Sequence, residues 1–346
     1  MTLDAAVEHV ELPFEFPFTI ARGTTTHAET VLVRIEDEAG RTGIGGAAPS
    51  AHYGETVETV EAVLPALLDV VETVGDPHQL ARIERRMYET VRGNPSARAA
   101  VSIALHDLVA KRLDLPLYRY WGLDPTESIR TSYSIGIDDA ETIREKVATA
   151  TERGYEVLKV KLGTDRDEAI VRTIRETAPD ATIRVDANEA WSPTEAIQTI
   201  DRIAPYGIEF VEQPVPAEDP EGLRYVYEHS QLPVAVDESV ERATDIPRIA
   251  DRCDVAVLKL MKCGGLREAR RIVETAHAHG LEVMCGCMYE SNASIAAAAH
   301  LAPLLDYADL DGSLLLDEDP YDGVPMPGGR IDLEAIGRAG TGARRT

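Results

Sequence analysis

The chain has few lysines, few cysteines and no long apolar run, and each shortage excludes a class of protein. Six of its 346 residues are lysine, and the 60 acidic residues give a formal net charge of −25. This charge argues against nucleic-acid binding, which needs a basic surface, and against docking on anionic lipid. We therefore expect no nucleic-acid partner and no membrane partner.

The apolar segments and the cysteines restrict the cellular location. No apolar run approaches the ~18 residues that cross a bilayer, and the N-terminal residues do not resemble a secretory signal. The four cysteines are not spaced like zinc ligands, and Cys285 and Cys287 are too close together for a structural disulfide. Reduced thiols predict a cytoplasmic location. The acid-rich, lysine-poor composition suggests a protein of the halophilic type, adapted to a salt-rich cytoplasm.

The pattern of apolar residues divides the chain into three parts. Residues 1–122 show strand-like alternation followed by helical patterns, which predicts an α+β domain. Residues 123–315 contain short apolar runs that alternate with helix-length segments, which predicts a modified TIM barrel of the (β/α)7β type without a last helix. Residues 316–346 are expected to return over the first domain, with residues 340–346 loose.

The predicted barrel has eight strands. They are residues 132–136, 157–161, 183–186, 208–212, 234–237, 255–259, 281–285 and 308–311. A doubly wound open sheet is the alternative, and it is disfavoured because no Gly-x-Gly-x-x-Gly motif follows the first strand.

Four of the six lysines lie in or just after two of the predicted strands. Lys159 and Lys161 alternate with apolar residues, so both side chains leave the second strand in the same direction. Burying an ammonium group costs free energy unless a partner or a reaction requires it there. This favours a chemical role for the lysines over the alternative, a solvent-exposed edge strand that carries charged side chains. Lys259 ends the sixth strand. Lys262 comes just before Gly264 in the next loop, and we expect it to form a salt bridge instead.

Three acids end the third, fourth and fifth predicted strands. Asp186, Glu212 and Asp237 are 26 and 25 residues apart, one βα unit each. Three carboxylates at the same height would repel one another unless a cation lay between them. All-oxygen ligands favour Mg²⁺, with Mn²⁺ as a substitute. The alternative is three unrelated surface acids in an acid-rich chain.

The lysines and the acids together predict a reaction. The second and sixth strands lie on opposite sides of an eight-stranded barrel, so a substrate carboxylate on the metal would have its α-carbon between Lys161 and Lys259. Lys159 is a like charge next to Lys161, and we expect it to help Lys161 to act as a base. One lysine removes the α-proton and the other returns a proton to the opposite face, which gives racemisation or epimerisation.

The motifs around these residues resemble those of the enolase superfamily, in its muconate-lactonizing-enzyme-like subgroup. The motifs are Lys159-Val160-Lys161, Asp186-Ala187-Asn188, Glu212-Gln213-Pro214, Asp237-Glu238-Ser239 and residues 259–265. Enzymes of that superfamily combine a lysine base with Mg²⁺ that stabilises an enediolate. The resemblance implies the same cofactor and intermediate here, the first 122 residues as a capping domain, and Asn188 and Glu238 as supports of the metal ligands.

A further motif points to one family within the superfamily. Asp309-Leu310-Asp311 resembles the Asp-x-Asp of dipeptide epimerases, whose acids hold the free α-ammonium of the substrate. A buried cation needs such a paired anion. The resemblance therefore implies a small-molecule substrate, a dipeptide, that is inverted at the α-carbon of its C-terminal residue. A homo-oligomer is also expected, because barrels of this kind often self-associate.

The resemblance also places the substrate-specificity loop at residues 21–29. Arg22 and Thr25 of this loop, and Met288 beside the seventh strand, are the expected substrate contacts. Only Arg22 and His27 are basic in the loop, which argues against an acidic second residue in the dipeptide.

Three other functions compete with this one. An N-acylamino-acid racemase or o-succinylbenzoate synthase would keep the mechanism, and a muconate-type cycloisomerase would keep the fold. None of these substrates has a free ammonium for Asp309 and Asp311. A binding barrel without activity would have lost one of the acids or lysines, and none is missing.

Overall fold

The computed structural model describes residues 3–127 and 129–346 and begins with an antiparallel sheet. Its strands are β1 (Leu3–Ile20), β2 (Gly23–Asp37) and β3 (Thr42–Ala47), in the order β1-β2-β3. Val31, Val33 and Ile35 of β2 are fully buried, because alternate side chains of a strand face the same side.

Three helices pack against this sheet: α1 (Val57–Val74), α2 (Leu80–Thr90) and α3 (Pro95–Arg112). The contact between α3 and β3 depends on Gly43 and Gly45. A Cβ atom on these residues would lie 1.9 Å from the Ala104 carbonyl oxygen and 2.1 Å from the Ala100 carbonyl oxygen. Only glycine lets the two backbones come this close. The short helix α4 (Leu117–Tyr120) follows.

The rest of the described chain is built around an eight-stranded parallel sheet in sequential order. Its strands are β4 (Tyr133–Ile135), β5 (Val157–Lys161), β6 (Thr182–Asp186), β7 (Ile208–Glu212), β8 (Val234–Val236), β9 (Val255–Lys259), β10 (Glu282–Gly286) and β11 (Tyr307–Asp309). The two ends of the sheet meet where the Ser132 N–H donates to the Ala308 carbonyl oxygen at 3.1 Å. The prediction of a modified TIM barrel is confirmed.

Helices connect consecutive strands of this barrel. They are α5 (Ala140–Glu152), α6 (Asp167–Thr177), α7 (Pro193–Ile203), α8 (Pro220–His229), α9 (Ile246–Ile249), α10 (Leu260–Cys263), α11 (Leu266–Ala278) and α12 (Asn292–Ala299). Their inward faces cover the sheet with apolar side chains such as Ile174, Ile200 and Ile272. Among the residues that the structure describes, no helix is both long and apolar enough to span a membrane.

The C-terminal residues are held firmly, so the expectation that residues 340–346 are loose is wrong. The Thr341 N–H donates to Asp107 of α3 at 2.7 Å, and the Gly340 carbonyl oxygen accepts from the Leu117 N–H at 2.8 Å. Strand β13 (Arg344–Arg345) pairs with β12 (Tyr321–Asp322). The buried carboxylate of Asp107 needs donors, and the end of the chain supplies them.

A buried carboxylate also joins the helices of the first domain to the barrel. The Ser102 hydroxyl of α3 donates to Glu84 of α2 at 2.7 Å and accepts from the Leu266 N–H of α11 at 3.2 Å. Burial raises the pKa of Glu84 to about 7, against an ordinary value of 4.5. Glu84 therefore favours the folded chain when it is protonated.

This shift predicts a pH dependence of stability. The contribution of Glu84 is complete below about pH 4.5 and is lost as the pH rises through 7, because the folded-state pKa is the higher one. Between pH 4.5 and 7, the free energy of unfolding of the wild type should therefore fall by on the order of 3 kcal/mol more than that of Glu84→Gln, because glutamine does not ionise. Urea unfolding at several pH values measures the difference. Glu89→Gln, on the exposed side of α2, is the control and should follow the wild type; equal pH slopes for all three would refute the prediction.

Candidate active site

The charged strand ends that the sequence singled out lie together at the carboxyl end of the barrel. The register of the sheet sets Lys161 beside Asp186 and Asp186 beside Glu212 on three consecutive strands. Asp237 comes directly after β8, and Lys259 is the last residue of β9. The three acids are buried. In barrels of this type, the carboxyl end of the strands is where functional side chains gather.

One ammonium group holds the carboxylates on one side of the site. Lys159 Nζ lies 2.8 Å from Glu212, 2.7 Å from Asp309 and 3.2 Å from Asp186. Lys161 Nζ donates to Asp186 Oδ2 at 2.7 Å. Lys159 is almost completely buried, so the carboxylates around it replace the water that its charge would otherwise need.

The third acid is paired on the other side of the site. Lys259 Nζ donates to Asp237 Oδ2 at 2.7 Å, and Lys262 Nζ donates to Asp237 Oδ1. Lys262 also donates to the Asp237 and Val257 carbonyl oxygens, so it is bonded to protein oxygens alone. Lys262 therefore has the salt-bridge role that the sequence favoured. The three acids do not share a single ammonium group: two contact Lys159, and Asp237 pairs with Lys259 and Lys262.

The pKa values of the acids diverge because their neighbours differ. Burial works against ionisation, but Lys161 and Lys159 hold the pKa of Asp186 well below its usual range. Lys259 and Lys262 do the same for Asp237. Burial and the nearby Asp186 raise the pKa of Glu212 to about 8.

Two of the lysines keep their charge. Burial opposes it, but Asp309, Glu212 and Asp186 raise the pKa of Lys159 well above its usual value. Asp237 raises the pKa of Lys259 in the same way. Lys159 is therefore a fixed cation among these acids, and Lys259 is charged and able to donate a proton.

The backbone after two of these strands is strained. Asn188 and Glu189 follow β6 with φ of 44° and 69°, and Gln213 follows β7 with φ of 36°. Such values cost on the order of 1–3 kcal/mol each for residues other than glycine and are typical of functional sites. Gln213 Oε1 accepts from the Asp237 N–H at 2.9 Å, which fixes the next acid. The sequence analysis gave Gln213 no role, although it lies inside a recognised motif.

The oxygen atoms of the site fit a hard cation. Among the described residues, Asn188 Oδ1 and Glu238 Oε2 are buried and accept no hydrogen bond, and Glu212 Oε2 contacts the ammonium of Lys159. Carboxylate and amide oxygens in this number suit Mg²⁺ or a similar ion. Such a cation would compete with the lysines for Asp186, Glu212 and Asp237.

Arg22 connects the first domain to the barrel above these acids. Both of its terminal nitrogens donate to Glu238 Oε1 at 3.0 Å, and one donates to the Asn188 carbonyl oxygen at 3.2 Å. Burial, Asp237 and Asp186 raise the pKa of Glu238 to about 7 even so. Arg22, which the sequence predicted to contact the substrate, is therefore already paired with the carboxylate of Glu238.

A second cluster lies at the same place. His52, Glu189 and Glu238 bring potential metal-ligand atoms within 4.8 Å of one another. The Arg22 guanidinium lies 3.4 Å from Glu189 and 3.0 Å from Glu238, so the cluster already contains a positive charge. The sequence analysis missed Glu189, and no spacing signal marked it.

A cavity of about 790 Å³ opens above the strand ends, between the two domains. The predicted site residues that line it are Arg22, Thr25, Lys159, Lys161, Asn188, Lys259, Met288, Asp309 and Asp311. The predicted metal ligands and Glu238 lie behind this surface. A small molecule in the cavity would therefore first contact the lysines, Asp309 at the end of β11, and Asp311 just after it.

Those two acids differ in how they are held. Asp309 accepts from Lys159 and from the Ser132 hydroxyl at 2.5 Å, whereas Asp311 Oδ2 accepts from the Ser134 N–H at 2.6 Å. Lys159 lowers the pKa of Asp309 against the effect of burial. Burial and Asp309 raise the pKa of Asp311 to about 7, because no lysine of its own neutralises it. Asp311 is therefore the better site for an added cation.

Comparison with known proteins agrees with this geometry. The sequence model described as mandelate racemase / muconate lactonizing enzyme, N-terminal domain, matches residues 2–122, and the one described as enolase C-terminal domain-like matches residues 142–342. An L-Ala-D/L-Glu epimerase of Bacteroides thetaiotaomicron is 40% identical over 331 residues, 94% of this chain and 85% of that protein.

Two proteins of Enterococcus faecalis are also similar. A hydrophobic dipeptide epimerase is 37% identical over 332 residues, 92% of this chain and 90% of that protein. The crystal structure of a dipeptide epimerase with Mg and the dipeptide L-Leu-L-Tyr is 34% identical, covers 100% of both chains and has a TM-score of 0.91.

The buried pairing of Lys262 predicts a large effect on stability. Lys262→Met should lower the free energy of unfolding by about 3 kcal/mol, because it removes one partner of the buried Asp237 carboxylate. Lys146→Met is the matched control: Lys146 pairs with the half-buried Asp138 at 3.1 Å, and the loss there should stay under about 1 kcal/mol. Urea unfolding measures both, and equal losses would contradict the structural role of Lys262.

Proposed function

Because this chain belongs to the mandelate racemase / muconate lactonizing enzyme family of the enolase superfamily, we propose that it is a Mg²⁺-dependent dipeptide epimerase, an isomerase. The observation that carries the proposal is the position of Lys161 and Lys259. They end strands β5 and β9, four strands apart in the sheet, and both line the same cavity. Relatives named as dipeptide epimerases support the choice of substrate.

Asp186, Glu212 and Asp237 would hold the Mg²⁺ ion, with Mn²⁺ as a possible substitute. When bound, the ion would offset the charge of these acids and the charge that grows on the substrate carboxylate as the α-proton leaves. Asn188 and Glu238 would support the ligands, since Asn188 already donates to Asp186 through its backbone N–H at 2.9 Å.

The lysines of this chain would carry the proton transfer. Lys161 takes the α-proton from one face of the C-terminal residue, and Lys259 returns a proton to the other face. Lys259 is suited to donation because Asp237 keeps it charged. In the reverse direction the two lysines exchange roles. Lys159 takes no proton and holds Asp309 and Glu212 in place.

Asp309 and Asp311 would bind the free α-ammonium of the dipeptide. Asp311 is the principal partner, because Lys159 forms its ion pair with Asp309 and not with Asp311. The ammonium end and the two lysines would fix the dipeptide in one direction along the cavity, with Met288 against its side.

The second residue of the dipeptide would be non-acidic. Arg22 is the cationic group that the specificity loop offers to the cavity, and Glu238 and Glu189 already pair with it. An acidic side chain would have to displace these carboxylates, whereas an apolar one lies against Thr25 without a charge. This supports the likeness to the hydrophobic dipeptide epimerase over the likeness to the alanyl-glutamate enzyme.

We also propose the wider setting. Residues 1–122 would act as the capping domain, residues 123–315 as the catalytic barrel and residues 316–346 as a return segment. The return segment is supported by the bonds of its end to Asp107 and Leu117. A cytoplasmic location is supported by four free thiols, of which Cys253, Cys263 and Cys285 are buried.

Exchange of the α-proton in D₂O tests the proposed function. The wild type with Mg²⁺ should incorporate deuterium at the α-carbon of the C-terminal residue and produce both epimers from members of a dipeptide library. Lys161→Ala and Lys259→Ala should each abolish epimerisation, because each removes the group on one face. One variant should still exchange a single epimer, which shows that the site is intact. Proton NMR measures the exchange; full activity of either variant, or no exchange by the wild type, would refute the assignment.

The role of the paired acids separates a dipeptide epimerase from an N-acylamino-acid racemase. Asp311→Asn should lower kcat/KM for free dipeptides at least 100-fold, since a buried ammonium would lose its anion, worth about 2–5 kcal/mol. The loss of kcat/KM for N-acetylated dipeptides should be much smaller, because they have no free ammonium for Asp311 to bind. Asp306→Asn, just before β11, is the control. Equal losses on both substrate types would contradict the role of Asp311.

A further inference from the structure

A second cavity lies beside the ammonium end of the main cavity. Its volume is about 170 Å³, and its walls include Phe16, Phe18, Tyr133 and Leu315 together with Thr149 of α5. A cavity of this measure needs only ~10–15 Å³ to hold one water, so this one can take several non-hydrogen atoms. We call it the α5 cavity.

The α5 cavity is formed by a break in β1. The pairing of β1 with β2 shifts between Pro13 and Phe18, so the intervening residues leave the ladder. They pair with the chain after the last barrel strand: the Glu15 N–H donates to the Leu315 carbonyl oxygen at 3.0 Å. The Asp317 N–H donates to the Pro13 carbonyl oxygen at 2.9 Å. This bulge and Leu315 form one wall, and α5 forms the other.

The walls of the α5 cavity are suited to an apolar group. Phe16 is 51% exposed, and it is among the large apolar side chains that the described chain leaves in water. Two of the three charged residues in its walls are paired elsewhere: Lys146 with Asp138 at 3.1 Å and Glu15 with Arg153 at 3.1 Å. The third, Glu145, is exposed to solvent. An aliphatic group in this space would cover Phe16 and remove apolar surface from water without unpairing a charge.

The α5 cavity lies within reach of the bound substrate. Phe18, Ser134 and Leu315 line both this cavity and the main one, so the two cavities adjoin. Ser134 is also the residue whose N–H holds Asp311 at 2.6 Å. In a dipeptide, the α-ammonium and the side chain of the first residue are bonded to the same carbon. An ammonium bound to Asp311 would therefore place the start of that side chain next to Ser134.

We propose that the α5 cavity receives the side chain of the N-terminal residue of the dipeptide and selects an aliphatic chain larger than the methyl group of alanine, such as that of leucine or methionine. This subsite rests on the proposed epimerase function and adds the identity of the first residue to it. Thr149 is a specificity-determining residue, because its side chain lines the part of the cavity formed by α5.

The test compares the ratio of kcat/KM for leucyl and alanyl dipeptides that share the same second residue. The wild type should favour the leucyl substrate. Thr149→Phe fills the cavity and should lower the ratio about tenfold or more, the scale that one or two methylene groups contribute in an apolar pocket. Thr151→Phe is the matched control, because it makes the same change on the exposed side of the same helix. Thermal unfolding of both variants checks that they fold.

The outcomes separate the subsite from the function. A ratio that falls in Thr149→Phe and stays unchanged in Thr151→Phe supports the subsite. An enzyme that epimerises alanyl dipeptides but shows an unchanged ratio in Thr149→Phe overturns the subsite and leaves the epimerase function standing. A preference for lysyl or arginyl dipeptides over leucyl ones overturns the apolar character of the cavity. Failure to exchange any dipeptide overturns the function and the subsite together.

Discussion

The structure depends on the balance of charge at the carboxyl end of the barrel. Acids from several strands are buried there, and each would be unstable without a positive partner. Lys159 supplies that partner for Glu212, Asp309 and Asp186, while Lys259 and Lys262 supply it for Asp237. Three of these acids, Asp186, Glu212 and Asp237, are the ligands proposed for Mg²⁺. Under the proposed function, an ion bound by these acids would replace the lysines as their positive partner and would leave Lys161 and Lys259 free for proton transfer.

The first domain takes part in this balance through Arg22. Its guanidinium pairs with Glu238, which lies next to one of the proposed metal ligands, and with Glu189 on a strained turn. The loop proposed to determine substrate specificity is thus held to the barrel by the ion pairs of Arg22. Under the proposed function, this loop would line the cavity without offering an unpaired arginine to the second residue of the dipeptide.

Much of the fold and of the site could be predicted from the sequence, because it depends on local patterns. Apolar runs at one βα spacing predicted the barrel, and charges at strand ends predicted which side chains would meet. The remainder depends on contacts between distant residues. Gln213, which holds the Asp237 backbone, carries no charge that could mark it, and the contact of Thr341 with Asp107 joins residues far apart in the chain. The α5 cavity depends on a register shift in β1, where Pro13 and Pro17 interrupt the ladder, and on the pairing of this bulge with the distant Leu315.

A crystal structure of the chain with Mg²⁺ and a substrate dipeptide tests the central claim most directly. The account predicts that Asp186, Glu212 and Asp237 bind one ion, and that Lys161 Nζ and Lys259 Nζ lie on opposite faces of the α-carbon of the C-terminal residue. An ion bound elsewhere, or two amines on the same face of that carbon, would contradict it.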